Sequence, residues 1–233
     1  METKPASKPL VESLPRRPYH LLAPSLCEGS LAFDALFERS LPIDAERELE
    51  IGVGKGRFLI ERATRFPRSW IVGLEIKPKL AFLVNERRKR LGLENARVFW
   101  ADAKLALPRL GPDACLDRIF IHFPDPWWKK RHAKRRLMSE AFVLELARLL
   151  REGGELFIQS DVEERALAMK ESLERASSGG LPLFSVELSS TRPNPYGAQS
   201  NRELHVEKEG LPIHRIFARR CPHPPPAFDQ SLR

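Results

Sequence analysis

An apolar run stopped by two prolines constrains this chain more than any other stretch. The segment from Ile119 to Phe123 is almost continuously apolar, which is typical of a strand buried on both faces of a parallel sheet. It is followed by Pro124, Asp125 and Pro126. Proline fixes its own φ and disfavours the helical region for the residue before it. The pattern predicts a buried strand ending in a stiff, non-helical loop that carries one carboxylate, at the strand end where open α/β sheets bind ligands.

The residues that follow are aromatic and cationic. Trp127 and Trp128 offer faces on which bases stack, and a run of cations can neutralise phosphates. The cations are Lys129, Lys130, Arg131, Lys134, Arg135 and Arg136. Together they favour a nucleic-acid partner. A solvated helix start is the alternative for the basic run, and packing in a core or lid is the alternative for the tryptophans.

Composition narrows the class of protein. The 233 residues fit one domain with tails, and the net charge of +8 favours a polyanionic partner. The cysteines, Cys27, Cys115 and Cys221, are far apart and odd in number, which predicts neither a disulfide framework nor a metal site. No apolar run reaches membrane-spanning length, and the N-terminus has no signal-like apolar region. We therefore expect a cytoplasmic protein with no membrane partner.

A glycine-rich turn lies in the first third of the chain. A strand runs into Gly52, Gly54 and Gly56, and an amphipathic helix begins near Phe58. A strand, a glycine turn and a helix open a nucleotide-binding unit, because glycines let a ligand approach the backbone closely. Arg57 occupies the place of the last glycine of the dinucleotide fingerprint. This disfavours a nicotinamide cofactor and suits S-adenosylmethionine, which has no pyrophosphate.

Acids end the next strands. Residues 70–75 read as the second strand, and Glu75 follows Glu50 at nearly the spacing at which an acid binds ribose hydroxyls. Residues 96–100 read as the third strand, and Asp102 closes it as a possible acceptor for an adenine amino group. A solvated turn is the alternative for Glu75. A helix N-cap is the alternative for Asp102.

Later segments alternate between helices and strands. Pro78 starts a helix whose predicted buried face is Leu80, Leu83, Val84 and Leu91. A helix over residues 139–150 is predicted to end at Gly153 and Gly154, with a strand over 155–160. Asp161 then reads as the cap of a helix that begins at Glu163, and a cap does not exclude a substrate contact.

The chain closes with a predicted antiparallel pair, residues 184–188 and 213–218, and a polar helix over 200–210 between them. The fold class predicted is α/β, with a mostly parallel seven-stranded sheet and helices on both faces. Residues 1–30 are predicted to be a flexible tail, 31–220 one domain, and 221–233 a proline-rich tail.

The chain resembles the S-adenosylmethionine-dependent tRNA (guanine-N7-)-methyltransferases from about residue 33 to 219. The resemblance rests on motifs at residues 50–56, 73–75, 101–103, 124–136, 160–161 and 200–215. The fourth, Pro-Asp-Pro-Trp followed by the basic run, is highly specific. The glycine turn is shared by many methyltransferases.

This resemblance implies a class I Rossmann-like methyltransferase fold, S-adenosylmethionine as cofactor and tRNA as partner. It implies that Asp125 meets both cofactor and guanine and is the catalytic residue. The cofactor-binding positions are Glu50, Gly52, Gly54, Gly56, Glu75, Asp102 and Asp125. The substrate-binding positions are Lys129, Asp161, Ser200, Asn201, Arg202 and Glu203. The RNA-backbone positions are Lys130, Arg131, Lys134, Arg135 and Arg136.

Two positions of the motif at residues 200–203 depart from the family pattern, and Ala133 stands where the family often has a second histidine. Ser200 replaces a threonine and keeps its hydroxyl, whereas Arg202 replaces an aromatic residue and puts the guanine contacts in question. The function expected is methyl transfer to N7 of a guanosine in the tRNA variable loop, by a monomer or homodimer. The alternatives are a methyltransferase of the same fold acting on another RNA or on protein, and a non-catalytic RNA-binding relative.

Overall fold

The computed structural model describes residue 26, residues 31–124 and residues 138–222. Seven strands form its central sheet: β1 (Glu46–Ile51), β2 (Ser69–Glu75), β3 (Ala96–Trp100), β4 (Leu116–His122), β5 (Leu150–Ser160), β6 (Phe184–Ser189) and β7 (His214–Arg220). Their order across the sheet is β6-β7-β5-β4-β1-β2-β3. Strand β7 is antiparallel to both neighbours, and every other pair is parallel. The prediction of a mostly parallel seven-stranded sheet is confirmed.

Six α-helices accompany the sheet within the described residues: α1 (Arg57–Arg65), α2 (Pro78–Arg90), α3 (Ala103–Ala106), α4 (Glu140–Leu149), α5 (Glu163–Arg175) and α6 (Asn201–Lys208). Two 3-10 helices are Phe33–Leu36 and Leu107–Arg109. Two-residue strands also pair: Leu31–Ala32 with Leu110–Gly111, and Ser177–Ser178 with Leu181–Pro182.

Alternate side chains of β4 point into two separate cores. Ile119 and Ile121 pack with residues of α4 and α5, whereas Phe120 packs with residues of α1 and α2. All three are essentially inaccessible to water. Burial of such side chains stabilises a fold by about 1.5–3 kcal/mol each. The expected strand buried on both faces, with helices on both sides of the sheet, is confirmed.

The boundary between α4 and β5 differs from the prediction. The helix ends at Leu149, and β5 begins at Leu150 rather than at residue 155. Gly153, expected to end the helix, lies inside the strand with φ 70°. This left-handed residue sits where the β4–β5 register shifts, so the glycine serves a strand irregularity instead of a helix end.

The buried face of α2 also differs. Its buried residues are Ala81, Val84, Asn85 and Arg88, whereas Leu91 is 53% exposed. Asn85 takes a core position because its side-chain amide hydrogen-bonds the backbone N–H and C=O of Val98. Val98 lies in β3, the edge strand of the sheet, which has a neighbouring strand on only one side among the described residues. A polar side chain therefore covers this edge.

Candidate active site

The carboxyl ends of five strands meet at one edge of the sheet. Strands β1, β2, β3, β4 and β5 are mutually parallel, so the segments that follow them lie side by side. This edge therefore collects the glycine turn at residues 52–56, Glu75, Asp102 and Asp161. It is the edge at which open α/β sheets bind ligands.

The three glycines of the turn have different structural roles. All three have left-handed backbones, with φ of 83° at Gly52, 57° at Gly54 and 74° at Gly56. A Cβ added at Gly52 or Gly54 would meet no atom within 4 Å, whereas one at Gly56 would lie 2.5 Å from Val84 Cγ1. Gly52 and Gly54 therefore present open backbone to a ligand, and Gly56 permits close packing of the turn against α2.

Glu50 is a buried acid with an unmatched oxygen. It is 1% exposed, and its Oε2 has no hydrogen-bond partner in the described part of the chain. Burial, reinforced by the charge of Glu75 and opposed by the backbone of Leu59, raises the pKa of Glu50 well above its usual range. A buried polar atom left unpaired in this way marks a place where a ligand group is expected.

Glu75 supports the glycine turn. Its Oε2 accepts from the backbone N–H of Gly54 at 2.7 Å, and its Oε1 accepts from the N–H of Lys77 at 2.9 Å. A carboxylate has about four acceptor sites, so these two bonds leave room for hydroxyl donors. Glu75 can therefore hold the turn and bind a ligand at once.

Asp102 and two apolar neighbours form the far side of this edge. The Asp102 carboxylate accepts from the Lys104 N–H at 2.9 Å, so the N-cap alternative is confirmed. Ile76 is 59% exposed and Leu105 is 68% exposed. Both follow a strand-end acid within three residues, a signal that the sequence reasoning did not use. They offer apolar surface to a flat ring.

Asp161 does not cap the helix after it, so that prediction is wrong. The N-cap of α5 is Val162 without a side-chain hydrogen bond, and it is Ser160 Oγ that accepts from the Val162 N–H. Asp161 Oδ2 instead accepts from Nε of Arg202 at 3.0 Å and from its terminal nitrogen. The cation is 41 positions away in sequence and draws the carboxylate towards α6.

The start of α6 carries the remaining described substrate positions. Ser200 caps the helix, with Oγ accepting from the Glu203 N–H at 3.1 Å, and Asn201 is exposed. Glu203 is completely buried and accepts from Asn194 Nδ2 and from the guanidinium of Arg215. The structure thus brings Asp161, Arg202 and Glu203 together.

Two residues that sequence reasoning missed connect this group to β4. His122 Nδ1 lies 2.8 Å from Gln159 Oε1, and Gln159 Nε2 donates to Glu203 Oε1 at 2.7 Å. Burial, opposed by the Gln159 hydrogen bond, lowers the pKa of His122 to about 4. No sequence motif links these residues, because they come from different elements.

Some predicted positions lie outside the described residues. These are Asp125, Lys129, Lys130, Arg131, Lys134, Arg135 and Arg136. The chain is described up to Pro124, directly after Phe123, whose φ is 47° and whose N–H donates to the Gln159 carbonyl at 2.9 Å. Phe123 and Pro124 therefore leave the sheet at the ligand edge.

Two kinds of feature are absent from the described residues. Within residues 26, 31–124 and 138–222, no group of three or more His, Cys, Asp or Glu side chains is placed to hold a metal ion. No helix in those same ranges is long and apolar enough to cross a membrane.

Solved structures share this architecture. The 16S rRNA methyltransferase KamB is 15% identical, with a TM-score of 0.56 over 82% of this chain and 91% of its own. An S-adenosylmethionine-dependent O-methyltransferase from Thermotoga maritima is 16% identical, with a TM-score of 0.53 over 77% of this chain and 61% of its own. These likenesses show that the chain shares the fold of these methyltransferases.

Sequence relatives give the family. The model of a family described as putative methyltransferase matches residues 44–214. The tRNA (guanine-N(7)-)-methyltransferase of a Synechococcus species is 38% identical over 74% of this chain and 71% of its own length. That of Thermosynechococcus vestitus is 36% identical over 74% and 79%. The chain belongs to the tRNA (guanine-N7-)-methyltransferase family, which confirms the resemblance.

Proposed function

We propose that this chain transfers a methyl group from S-adenosylmethionine to N7 of a guanosine in the variable loop of tRNA. One observation carries the proposal: relatives named tRNA (guanine-N(7)-)-methyltransferase are 38% and 36% identical, and the family match at residues 44–214 spans every described element of the site. The single domain over residues 31–220, the cytoplasmic location and the monomeric or homodimeric state are parts of the same proposal.

The main contribution of the protein to this reaction is to position the two reactants. Bound S-adenosylmethionine supplies an activated methyl group on a sulfonium. Guanine N7 carries a free lone pair at neutral pH, so no general base has to create the nucleophile. Holding two reactants in a near-attack geometry is worth about 7–11 kcal/mol of barrier. The residues of this chain therefore bind, orient and exclude water.

The cofactor side of the site is proposed as follows. Gly52 and Gly54 allow close approach of the cofactor to the backbone, and Glu50 meets it with the unpaired oxygen. A cationic ligand group beside Glu50 would favour the ionised carboxyl that burial disfavours. Glu75 binds the ribose hydroxyls and Asp102 accepts from the adenine amino group.

Ile76 and Leu105 complete this cofactor pocket by enclosing the adenine ring. Their exposed apolar side chains stand beside those two acids at the same sheet edge. Gly56, predicted as a cofactor position, contributes by letting α2 pack under the turn.

The guanine side is proposed at Asp125, Asp161 and Glu203, and Glu203 would accept from guanine by exchanging one of its present donors, Gln159, Asn194 or Arg215. Arg202 engages one oxygen of Asp161, which leaves the other for a guanine N–H. Base and cofactor meet at Asp125, which fixes the guanine edge against the methyl group. Because the guanosine lies within folded tRNA, it has to be exposed before reaction, as in base flipping.

The RNA backbone is proposed to bind the basic run. Its positions are Lys129, Lys130, Arg131, Lys134, Arg135 and Arg136, and the net charge of +8 adds long-range attraction for a polyanion. Binding through such contacts weakens steeply with salt.

The test is methyl transfer from labelled S-adenosylmethionine to unmodified tRNA transcripts, with the modified base identified by mass spectrometry. N7-methylguanosine in the variable loop, lost when that guanosine is replaced by adenosine, is the expected result. Asp125→Ala should lower turnover far more than tRNA affinity. Cofactor binding without transfer to any tRNA would overturn the proposal and point to another RNA or a protein substrate.

A further inference from the structure

A chain of buried polar side chains crosses the site beneath the ligand edge. His122 ends β4, Gln159 lies near the end of β5 and Glu203 lies in the first turn of α6. All three are buried, and two hydrogen bonds of 2.8 and 2.7 Å join them. Hydrogen bonds within a buried network are strong and restrict the movement of the elements that they join.

The direction of each hydrogen bond follows from Glu203. Its carboxylate accepts from Arg215 and Asn194, so the side-chain nitrogen of Gln159 faces it as a further donor. The amide oxygen of Gln159 then faces His122 and accepts from Nδ1–H. His122 is consequently a neutral imidazole with its lone pair on Nε2, and that atom has no partner among the described residues.

The backbone of Gln159 joins the same arrangement. Its carbonyl accepts from the N–H of Phe123, the left-handed residue that precedes Pro124. The His122 ring also lies 4.3 Å, centroid to centroid, from the ring of Phe58 in the first turn of α1. Gln159 thus links β4, Phe123 and α6, while His122 contacts the helix that follows the glycine turn.

A second tether runs alongside the first. Asp161, two residues after Gln159, pairs with Arg202, the neighbour of Glu203. The end of β5 therefore contacts two consecutive residues of α6. Its contact with Glu203 is buried, and its ion pair with Arg202 is about half exposed on the arginine side. The buried contact has fewer alternative partners, because Gln159 and Glu203 are both inaccessible to solvent.

We propose that His122 and Gln159 are positioning residues for methyl transfer: through Glu203 they hold the proposed guanine-binding end of α6 in register with Phe123 and Pro124, directly after β4. This role rests on the proposed function. Neither residue touches the reacting atoms. Their effect falls on the rate of the bound complex, since small misplacements of bound reactants reduce rates strongly.

The test compares His122→Leu and Gln159→Met with His122→Asn. The first two remove the hydrogen bonds at similar volume, whereas the Asn amide offers an N–H near the place of Nδ1–H. Single-turnover transfer is measured with saturating tRNA and cofactor, alongside the affinity for S-adenosylhomocysteine and the Tm. We expect rates roughly 10–100-fold lower in the first two, unchanged cofactor affinity within about twofold, and His122→Asn within about threefold of the parent.

Asn85→Leu is the matched control. It removes a buried amide and its two hydrogen bonds in α2, away from the ligand edge. It should lower the Tm at least as much as Gln159→Met while keeping the transfer rate. Parental rates in His122→Leu and Gln159→Met, or an equal rate loss in Asn85→Leu, would overturn the positioning role. If His122→Leu does not fold, Gln159→Met and His122→Asn decide the question.

A measurement without tRNA separates this inference from the proposed function. Long-range 15N–1H NMR, with the His122 signals assigned through His122→Asn, should show a neutral Nδ1–H tautomer near pH 7 that changes in Gln159→Met. An Nε2–H tautomer or an imidazolium would overturn the network itself. A wild-type protein that shows the expected tautomer but methylates no tRNA would instead remove the proposed function, and the positioning role with it.

Discussion

At the scale of single residues, Glu50 has the clearest physical signature. A carboxyl that is buried and only partly hydrogen-bonded resists ionisation, which is why its pKa is raised. The folded state then keeps a proton that the unfolded chain has lost above the ordinary pKa of 4.5. Stability therefore falls as pH rises from that value towards the folded pKa.

Glu50→Gln tests this directly. Glutamine keeps the shape and removes the ionisation, so the variant should gain unfolding free energy over the parent as the pH rises from about 5 to about 8. Urea unfolding at several pH values measures the difference. Cofactor affinity, followed by calorimetry, should fall in the same variant. A stability difference that is independent of pH would contradict the assignment.

His122 should make stability depend on pH in the opposite sense to Glu50, with stability lost as the pH falls. Its folded pKa of about 4 lies below the ordinary 6.5, so the unfolded chain takes up the proton first as the pH falls. The stability present above pH 6.5 is lost progressively as the pH falls towards 4, by about 3 kcal/mol in total. His122→Asn should lack this loss. Unfolding free energies of both proteins at about pH 7 and about pH 4 give the comparison, in which carboxylates common to both cancel.

The role of a residue could be predicted from the sequence only where its interaction partners are close to it in sequence. Asp102 follows a strand and precedes a short helix, so both its place and its cap could be read locally. Asp161 has the same local pattern as a helix cap. Its side chain instead pairs with Arg202, which is distant in sequence and cannot be identified from local neighbours. Glu203 was assigned through the resemblance, whereas its buried partner Gln159 belongs to no local pattern.

At the scale of elements, the docking of α6 rests partly on the Arg202–Asp161 pair. Arg202 is about half exposed, so Arg202→Ala should change the unfolding free energy by less than about 1 kcal/mol. The KM for tRNA should nevertheless rise, because the substrate-facing turn loses one tether, while cofactor affinity stays constant. Steady-state kinetics on the two substrates separate these effects. Equal changes in both would contradict this role.

The edge strand gives a second test at this scale. Asn85→Leu leaves the backbone N–H and C=O of Val98 without their side-chain partner. An unsatisfied buried group costs about 1–3 kcal/mol. The variant should lose that much stability, measured by denaturant unfolding, and keep its cofactor affinity. A neutral effect would mean that water replaces the amide.

Strands and helices were predicted well where the apolar period is regular. The run at Ile119–Ile121 is buried as expected, since only a central strand accommodates it. The α2 face was misjudged because Asn85 and Arg88 are buried by pairing with other elements, which apolar periodicity does not register. The β5 start was misplaced because Gly153 serves a strand irregularity.

At the scale of the whole molecule, charge should govern RNA affinity. Replacing Lys134, Arg135 and Arg136 together with alanine removes cations from a chain of net charge +8. The slope of log affinity against log salt should fall by roughly 0.7–0.9 for each lost phosphate contact, with cofactor affinity unaffected. Binding titrations at several salt concentrations measure it. An unchanged slope would place the RNA on another surface.

The overall architecture followed from the alternation of strands and helices, whereas the insertion of β7 between β5 and β6 required the structure. That insertion has a consequence for synthesis on the ribosome. The proposed cofactor positions extend from Glu50 to Asp125, whereas Glu203 and β7, the partner strand of β5, are made much later. We therefore expect a nascent chain to gain the proposed methyl-donor positions before it gains the proposed guanine-binding ones, and activity to appear only when residue 220 has left the exit tunnel.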